Sequence, residues 1–303
     1  MANWSEILSE IAEGGGKQDQ VRRKYLKKLA KLTGRNIIAY YSGWLQKPTA
    51  SNLLIAINDN DKNGFMNAVY RLDSSKGLDL ILHTPGGDTA ATESIVDYLR
   101  TKFNKNIRVI VPQLAMSGGT MIACAAKQII MGKQSSLGPI DPQLGGASAE
   151  GVIEEFDRAR SEVAANPAVA PIWQQMVFKY PIAFVGDCQK AIDWSKSMTR
   201  TWLETGMFDG DATAGTKIDN IINELGNALT LSHARHLSAK KCKDIGFGNK
   251  IILMEDDQKL QDAILSVHHA FMLTFDQSPA VKIIENNMGS AYVQTMQTLI
   301  IQK

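Results

Sequence analysis

Two short apolar runs, Leu78–Leu82 and Ile107–Val111, are bounded by turn-forming residues and predict buried strands. Each leads to a glycine pair, Gly86-Gly87 and Gly118-Gly119, and each pair opens a helical pattern, over Thr89–Phe103 and Gly119–Lys127. An earlier run, Asn36–Leu45, predicts a first strand, with a polar turn at 58–62 and a helix over Gly64–Leu72 after it. Upstream, Gly14-Gly15-Gly16 parts a short first helix from a basic one at Gln18–Leu32. After Gly146 the pattern turns helical, over Ser148–Ala165, Pro171–Tyr180, Asp187–Thr205 and Ala214–Leu229. A short helix, Ser238–Ile245, stops at Gly246, and Ile251–Met254 reads as a strand. Asp256–Phe275 is a long helix closed by Pro279, because proline lacks the N–H that a helix needs. The tail, Val281–Lys303, fits either a strand or an arm exchanged between subunits.

The repeated strand, glycine turn and helix predict an α/β fold with parallel crossovers. At such a turn the free backbone N–H groups converge on one spot and favour negative charge. Ser117 at the mouth of the second turn suggests a nucleophile beside an oxyanion hole. The plainer reading of Ser117 is a helix N-cap, whose hydroxyl would bond the N–H groups two or three residues on. The plainer reading of the glycines is a positive φ angle.

Three segments in order, HTPGG, AMSGGT and GPIDPQLGG, resemble the Clp/crotonase fold, and within it the serine dehydrogenase proteinase family, related to signal peptide peptidase A. The resemblance covers 79–146 well and extends more weakly through FVGDCQKAIDW and SHARHLSAKKCKDIGF. It implies a Clp/crotonase-like core of strand–turn–helix units with helical extensions: an N-terminal extension over 1–35, a peptidase domain over 36–255, and a C-terminal helix and tail over 256–303. It also implies a serine endopeptidase without cofactor or metal, acting on peptides or unfolded chains as a homo-oligomer. Ser117 would be the nucleophile. The oxyanion donors would be Gly118 with Gly86 or Gly87.

The base is less direct. Asp141 stands where the Clp histidine would, and the later Clp aspartate falls near Ala234. A carboxylate is a poor substitute for imidazole because its ordinary pKa lies far below 7. Signal peptide peptidases use a Ser-Lys dyad, which requires a buried lysine. Lys190 is the first candidate, since Val185, Cys188, Ala191 and Ile192 flank it; Lys179 is the second. His233 is a third possibility beside the segment resembling the last triad member, while His83, His236, His268 and His269 read as structural.

Composition adds limits. A net charge of +2 gives no case for nucleic acid or an anionic membrane. The acidic start, with Glu6, Glu10 and Glu13, is unlike a secretory signal, and no apolar run reaches membrane-span length, so the expectation is a cytoplasmic protein without an anchor. Cys124, Cys188 and Cys242 are too scattered for a disulfide framework or a metal site and read as small core residues. Two rivals remain: a crotonase-like acyl-CoA enzyme using the same two turns, and a non-catalytic scaffold that has lost its base.

Overall fold

The computed structural model describes residues 4–226 and 234–296. Helices α1 (Trp4–Glu13) and α2 (Gln18–Thr33) lead to strand β1 (Asn36–Ser42). Next come α3 (Asn52–Ile55), α4 (Asn60–Val69), β2 (Leu78–His83), α5 (Thr89–Lys102) and β3 (Ile107–Val111). A two-residue strand, β4 (Leu114–Ala115), precedes α6 (Gly118–Cys124) and β5 (Gln128–Met131). Three more short strands, β6 (Ser136–Leu137), β7 (Gln143–Leu144) and β8 (Ala147–Ser148), open a helical stretch of α7 (Ala149–Ala165), α8 (Ala170–Val177), α9 (Phe184–Trp202) and α10 (Ala214–Gly226). The chain returns through β9 (Leu237–Ser238), α11 (Ala239–Cys242), β10 (Ile251–Leu253), α12 (Gln258–Gln277), β11 (Ala280–Asn286) and β12 (Ala291–Thr295).

Seven strands form the main sheet, in the order β10-β5-β3-β2-β1-β11-β12. The first five run parallel, with Ile38 opposite Leu80 and Leu80 opposite Val109; β11 is antiparallel to β1, and β12 to β11. Both faces are covered. Along β1, Ile38 and Tyr40 join the core under α4, α5, α6 and α10, while Ile37, Ala39 and Tyr41 join the core under α1, α2 and α12. This alternation is the two-residue period of a strand, and burial on both faces explains why the strands read as continuous apolar runs.

Two readings are revised. Of the two readings left open for the tail, the described part is strand: β11 and β12 form a hairpin over 280–295 that pairs with β1 of the same chain. The sequence reading has no strand at Gln128–Met131, yet β5 lies between β3 and β10. Ile129, Ile130 and Met131 follow a helix after only a few residues, too few to show a period of their own. Asp79 in β2 is buried and held by Arg35 at 2.7 Å and Arg108 at 2.6 Å, which keeps a carboxylate in the sheet without leaving it unpaired.

Candidate active site

The two glycine turns meet at the C-terminal end of β2. Beyond His83 the chain runs alongside Leu114–Met116: Thr84 N–H donates to Leu114 O at 3.1 Å and Met116 N–H to Thr84 O at 3.0 Å. The chain then reverses. Gly119 N–H donates to Met116 O at 2.8 Å, and Ser117 has φ 49° and ψ −115°. This is a type II′ turn with Ser117 at its second position, where glycine is the ordinary occupant. A side chain held there costs about 1–3 kcal/mol of backbone strain. The N-cap reading of Ser117 therefore fails, since its backbone is not in the cap conformation and its hydroxyl makes no cap bond.

The glycines differ in what they need. Gly86 has φ 96°, and a Cβ there would stand 2.6 Å from Ser117 Cβ and 2.7 Å from Met116 O. At Gly87 a Cβ would meet the Ile57 backbone, 2.8 Å from its Cα. Gly118 does not have the positive φ expected of it; the left-handed angle belongs to Ser117. Close approach is the reason for Gly118, where a Cβ would lie 2.7 Å from Thr92 Oγ1 and 3.5 Å from Gly87 N.

The donors can now be sorted. Gly86 N–H is taken by Thr84 Oγ1 at 3.1 Å. Among the described residues, neither Gly87 nor Gly118 has an acceptor for its N–H among the loop and turn hydrogen bonds. Ile57 braces the first turn, donating its N–H to Gly86 O at 2.8 Å and accepting from Asp88 N–H at 2.9 Å. Asp88 caps α5 by accepting from Ala91 N–H at 2.7 Å.

Ser117 opens into a cleft of about 510 Å³. Its walls include Trp44, Ile55, Met121, Ile140, Leu144 and Trp194, and its ionisable lining side chains are Asp88 and Asp141. Asp141 is 1% exposed and accepts from Gln143 Nε2 at 2.7 Å. Lys190 lies elsewhere. Its side chain is 81% exposed and pairs with Asp187 at 3.4 Å, although the next residue, Ala191, lines the cleft. The burial expected at Lys190 is therefore absent: the apolar neighbours turn inward, as on any amphipathic helix, and the lysine turns out. Lys179 is also exposed and outside the cleft. His233 lies outside the described residues. No described group of histidine, cysteine and carboxylate side chains is arranged to hold a metal ion.

Trp44 links the cleft to a histidine cluster that the sequence reading left as structural. Its ring lies tilted against His83 at 4.3 Å, and His83 meets His268 edge-on at 5.3 Å. Neither ring nitrogen of His83 has a hydrogen-bond partner. Burial pushes His83 well below 6.5, and burial, with His269 adding, takes His268 to about 3. Both rings are neutral when folded, whereas the unfolded chain takes up a proton on each near about 6.5. The unfolded state then binds more protons between about pH 6.5 and 3, so stability falls as pH falls through that window. The slope approaches about 1.4 kcal/mol per pH unit for each ring. Denaturant unfolding of the His83→Phe/His268→Phe double variant should show a flatter pH dependence than wild type between about pH 6.5 and 4.5. Parallel curves would contradict these assignments.

The same fold region carries the relatives. A family model for ClpP-like SDH-type serine proteinases matches residues 18–170, about half of the chain and all of both glycine turns. Two uncharacterised proteins of Methanocaldococcus jannaschii are similar. One is 40% identical over 110 residues, 36% of this chain and 37% of its own length. The other is 34% identical over 157 residues, 49% of this chain and 52% of its own. The chain thus spans about half or less of the length of these curated relatives. Among solved structures, a membrane-bound stomatin-specific protease overlays loosely, with 14% identity, a TM-score of 0.42, and coverage of 69% of this chain and 79% of that one. With that match over half of its length, taking in Ser117 and both glycine turns, the chain belongs to the ClpP-like SDH-type serine proteinase family.

Proposed function

We propose that the chain hydrolyses peptide bonds through an acyl-enzyme on Ser117. A base takes the hydroxyl proton as the oxygen attacks the scissile carbonyl carbon, and the tetrahedral oxyanion is held by the N–H groups of Gly87 and Gly118, with Gly86 fixing the turn. The C–N bond then breaks as the base returns the proton to the leaving amine, and water hydrolyses the ester, releasing the acid and restoring the hydroxyl. The observation that carries this reading is the strained II′ turn, which presents Ser117 with no cap bond beside two unoccupied donors. Such donors are worth about 10²–10³ in rate each, because they are aimed before charge develops.

The cleft also separates the rivals. An acyl-CoA brings several phosphate charges, and the ionisable side chains lining the cleft are carboxylates, which repel them. A peptide backbone has no such conflict. Purified protein should cleave an unfolded protein and leave acyl-CoA thioesters intact; the reverse result would favour the crotonase-like reading. We extend the proposal to a cytoplasmic homo-oligomer that admits unfolded chains. Among the described residues no helix is long and apolar enough to cross a membrane.

For the proton acceptor the proposal keeps Lys190, which requires α9 to turn its outer face toward the cleft that Ala191 and Trp194 already line. Lys190→Met and Lys190→Arg should then both lower turnover by about 10²-fold or more, since guanidinium stays protonated. Wild-type turnover in both variants would exclude the dyad and leave Asp141 as the ionisable group to test next.

A further inference from the structure

Strand β11 carries a lysine in an unusual place. Lys282 is 0% exposed and pairs at 2.8 Å with an equally buried Asp61 of α4. Its ammonium reaches Asp61 Oδ1 at 2.8 Å, Asp61 Oδ2 at 3.0 Å and Ala56 O at 2.7 Å. Asp61 Oδ2 also accepts from the Tyr40 hydroxyl at 2.7 Å and from Asn58 N–H at 3.1 Å. Burying two charges carries a desolvation penalty that their attraction often only balances, so a pair of this kind is weak evidence for stability.

Its surroundings indicate a different purpose. Lys282 holds Ala56 and Asp61 holds Asn58, so the pair fixes the strap on either side of Ile57. That residue braces the first glycine turn through Gly86 O at 2.8 Å and Asp88 N–H at 2.9 Å. The strap that braces the first glycine turn therefore traces to one ion pair. Sequence reasoning had no signal for this, because Asp61 and Lys282 lie more than two hundred residues apart in a chain read without its C-terminal hairpin.

We propose that Lys282 is a positioning residue for the oxyanion hole, acting through Ala56 and the 56–58 strap to aim the Gly87 N–H. Its effect on rate rests on the acyl-enzyme reading above; its effect on the turn does not.

The test uses the full chain with Lys282 and Asp61 neutralised together, as Lys282→Met/Asp61→Asn, which leaves no buried charge unpaired. Cooperative unfolding should persist. Turnover (kcat) should fall about 10-fold to 100-fold with KM within about twofold, because a misaimed donor is felt in the transition state. Affinity for a peptide aldehyde, which forms a tetrahedral adduct with a serine hydroxyl, should fall by the same factor. Amide exchange at Ile57 and Asp88 should quicken by about 10-fold or more, while Val109 and Ile110 in β3 stay protected. A merely structural role would instead loosen β3 in step with the turn. Unchanged exchange at Ile57 and Asp88 would overturn the proposal, as would unchanged kcat in an active enzyme. If wild type neither turns over nor binds the aldehyde, the acyl-enzyme reading falls and the exchange result alone decides the positioning role. Should the double variant fail to fold, Tyr40→Phe removes one donor to Asp61 with the ring kept, and amide exchange at Ile57 and Asp88 must rise in it.

Discussion

Ser117→Ala should lower peptide hydrolysis by about 10³-fold or more and leave the fold intact. The large effect follows from removing the atom that forms the covalent bond; what remains is the rate that binding and the oxyanion donors give to water alone. The small structural effect follows from the site. The Ser117 hydroxyl caps nothing, so its loss orphans no helix N–H, and alanine keeps a Cβ in the same strained conformation. The unfolding free energy should stay within about 1 kcal/mol of wild type. Ser117→Gly sharpens the test. Glycine takes φ near 49° without strain, at the cost of a more flexible unfolded chain. That variant should be equally inactive yet more stable by up to about 2 kcal/mol. A stabilised, inactive protein is the signature of strain retained for function. Peptidase assays alongside denaturant titrations read both quantities, and a Ser117→Ala protein with full activity would refute the nucleophile assignment.

Gly87→Ala carries the second large effect, on rate and stability together. A Cβ at Gly87 would lie 2.8 Å from Ile57 Cα and closer still to its N and O. Backbone cannot swing aside as a side-chain tip can, so the strap and the turn must part. The Gly87 N–H then leaves the position it shares with Gly118, and the hydrogen bonds through Gly86 O and Asp88 N–H weaken. Losing one oxyanion donor costs about 10²–10³ in kcat, and overpacking costs about 1–3 kcal/mol in stability. KM should move far less than kcat, because the donor meets an oxyanion that exists only after attack. An alanine variant with wild-type kcat would remove Gly87 from the hole.

Local patterns carried most of what the sequence revealed. Strands buried on both faces leave continuous apolar runs, and glycine pairs after them mark turns; both signals lie within a few neighbouring residues, which is why β2, β3, α5 and the turn at Ser117 were legible. Long-range pairing was not. Nothing near Ala280 states that β11 will run antiparallel to β1, since that follows from which sheet edge is left open. The backbone angle of Gly118 was misread because a tight turn signals a positive φ somewhere without naming the residue, and here the serine takes it. The burial of Lys190 was misread because apolar neighbours on a helix bury their own face and turn the residue between them outward. Asp141 is inside the cleft, as its motif placed it, and its buried setting could be seen only in three dimensions.

The central claim is that Ser117 is an activated nucleophile within an oxyanion hole. A fluorophosphonate probe forms a P–O bond to such an oxygen and expels fluoride, leaving a stable phosphonyl ester whose polar phosphoryl oxygen occupies the place of the oxyanion. Incubating the protein with the probe and mapping the adduct by peptide mass spectrometry reads the claim directly. The account predicts one phosphonylated residue, Ser117, with labelling abolished in Ser117→Ala and slowed by about 10²-fold in Gly87→Ala. An unlabelled Ser117 in folded protein, or an adduct elsewhere that persists in Ser117→Ala, would contradict it.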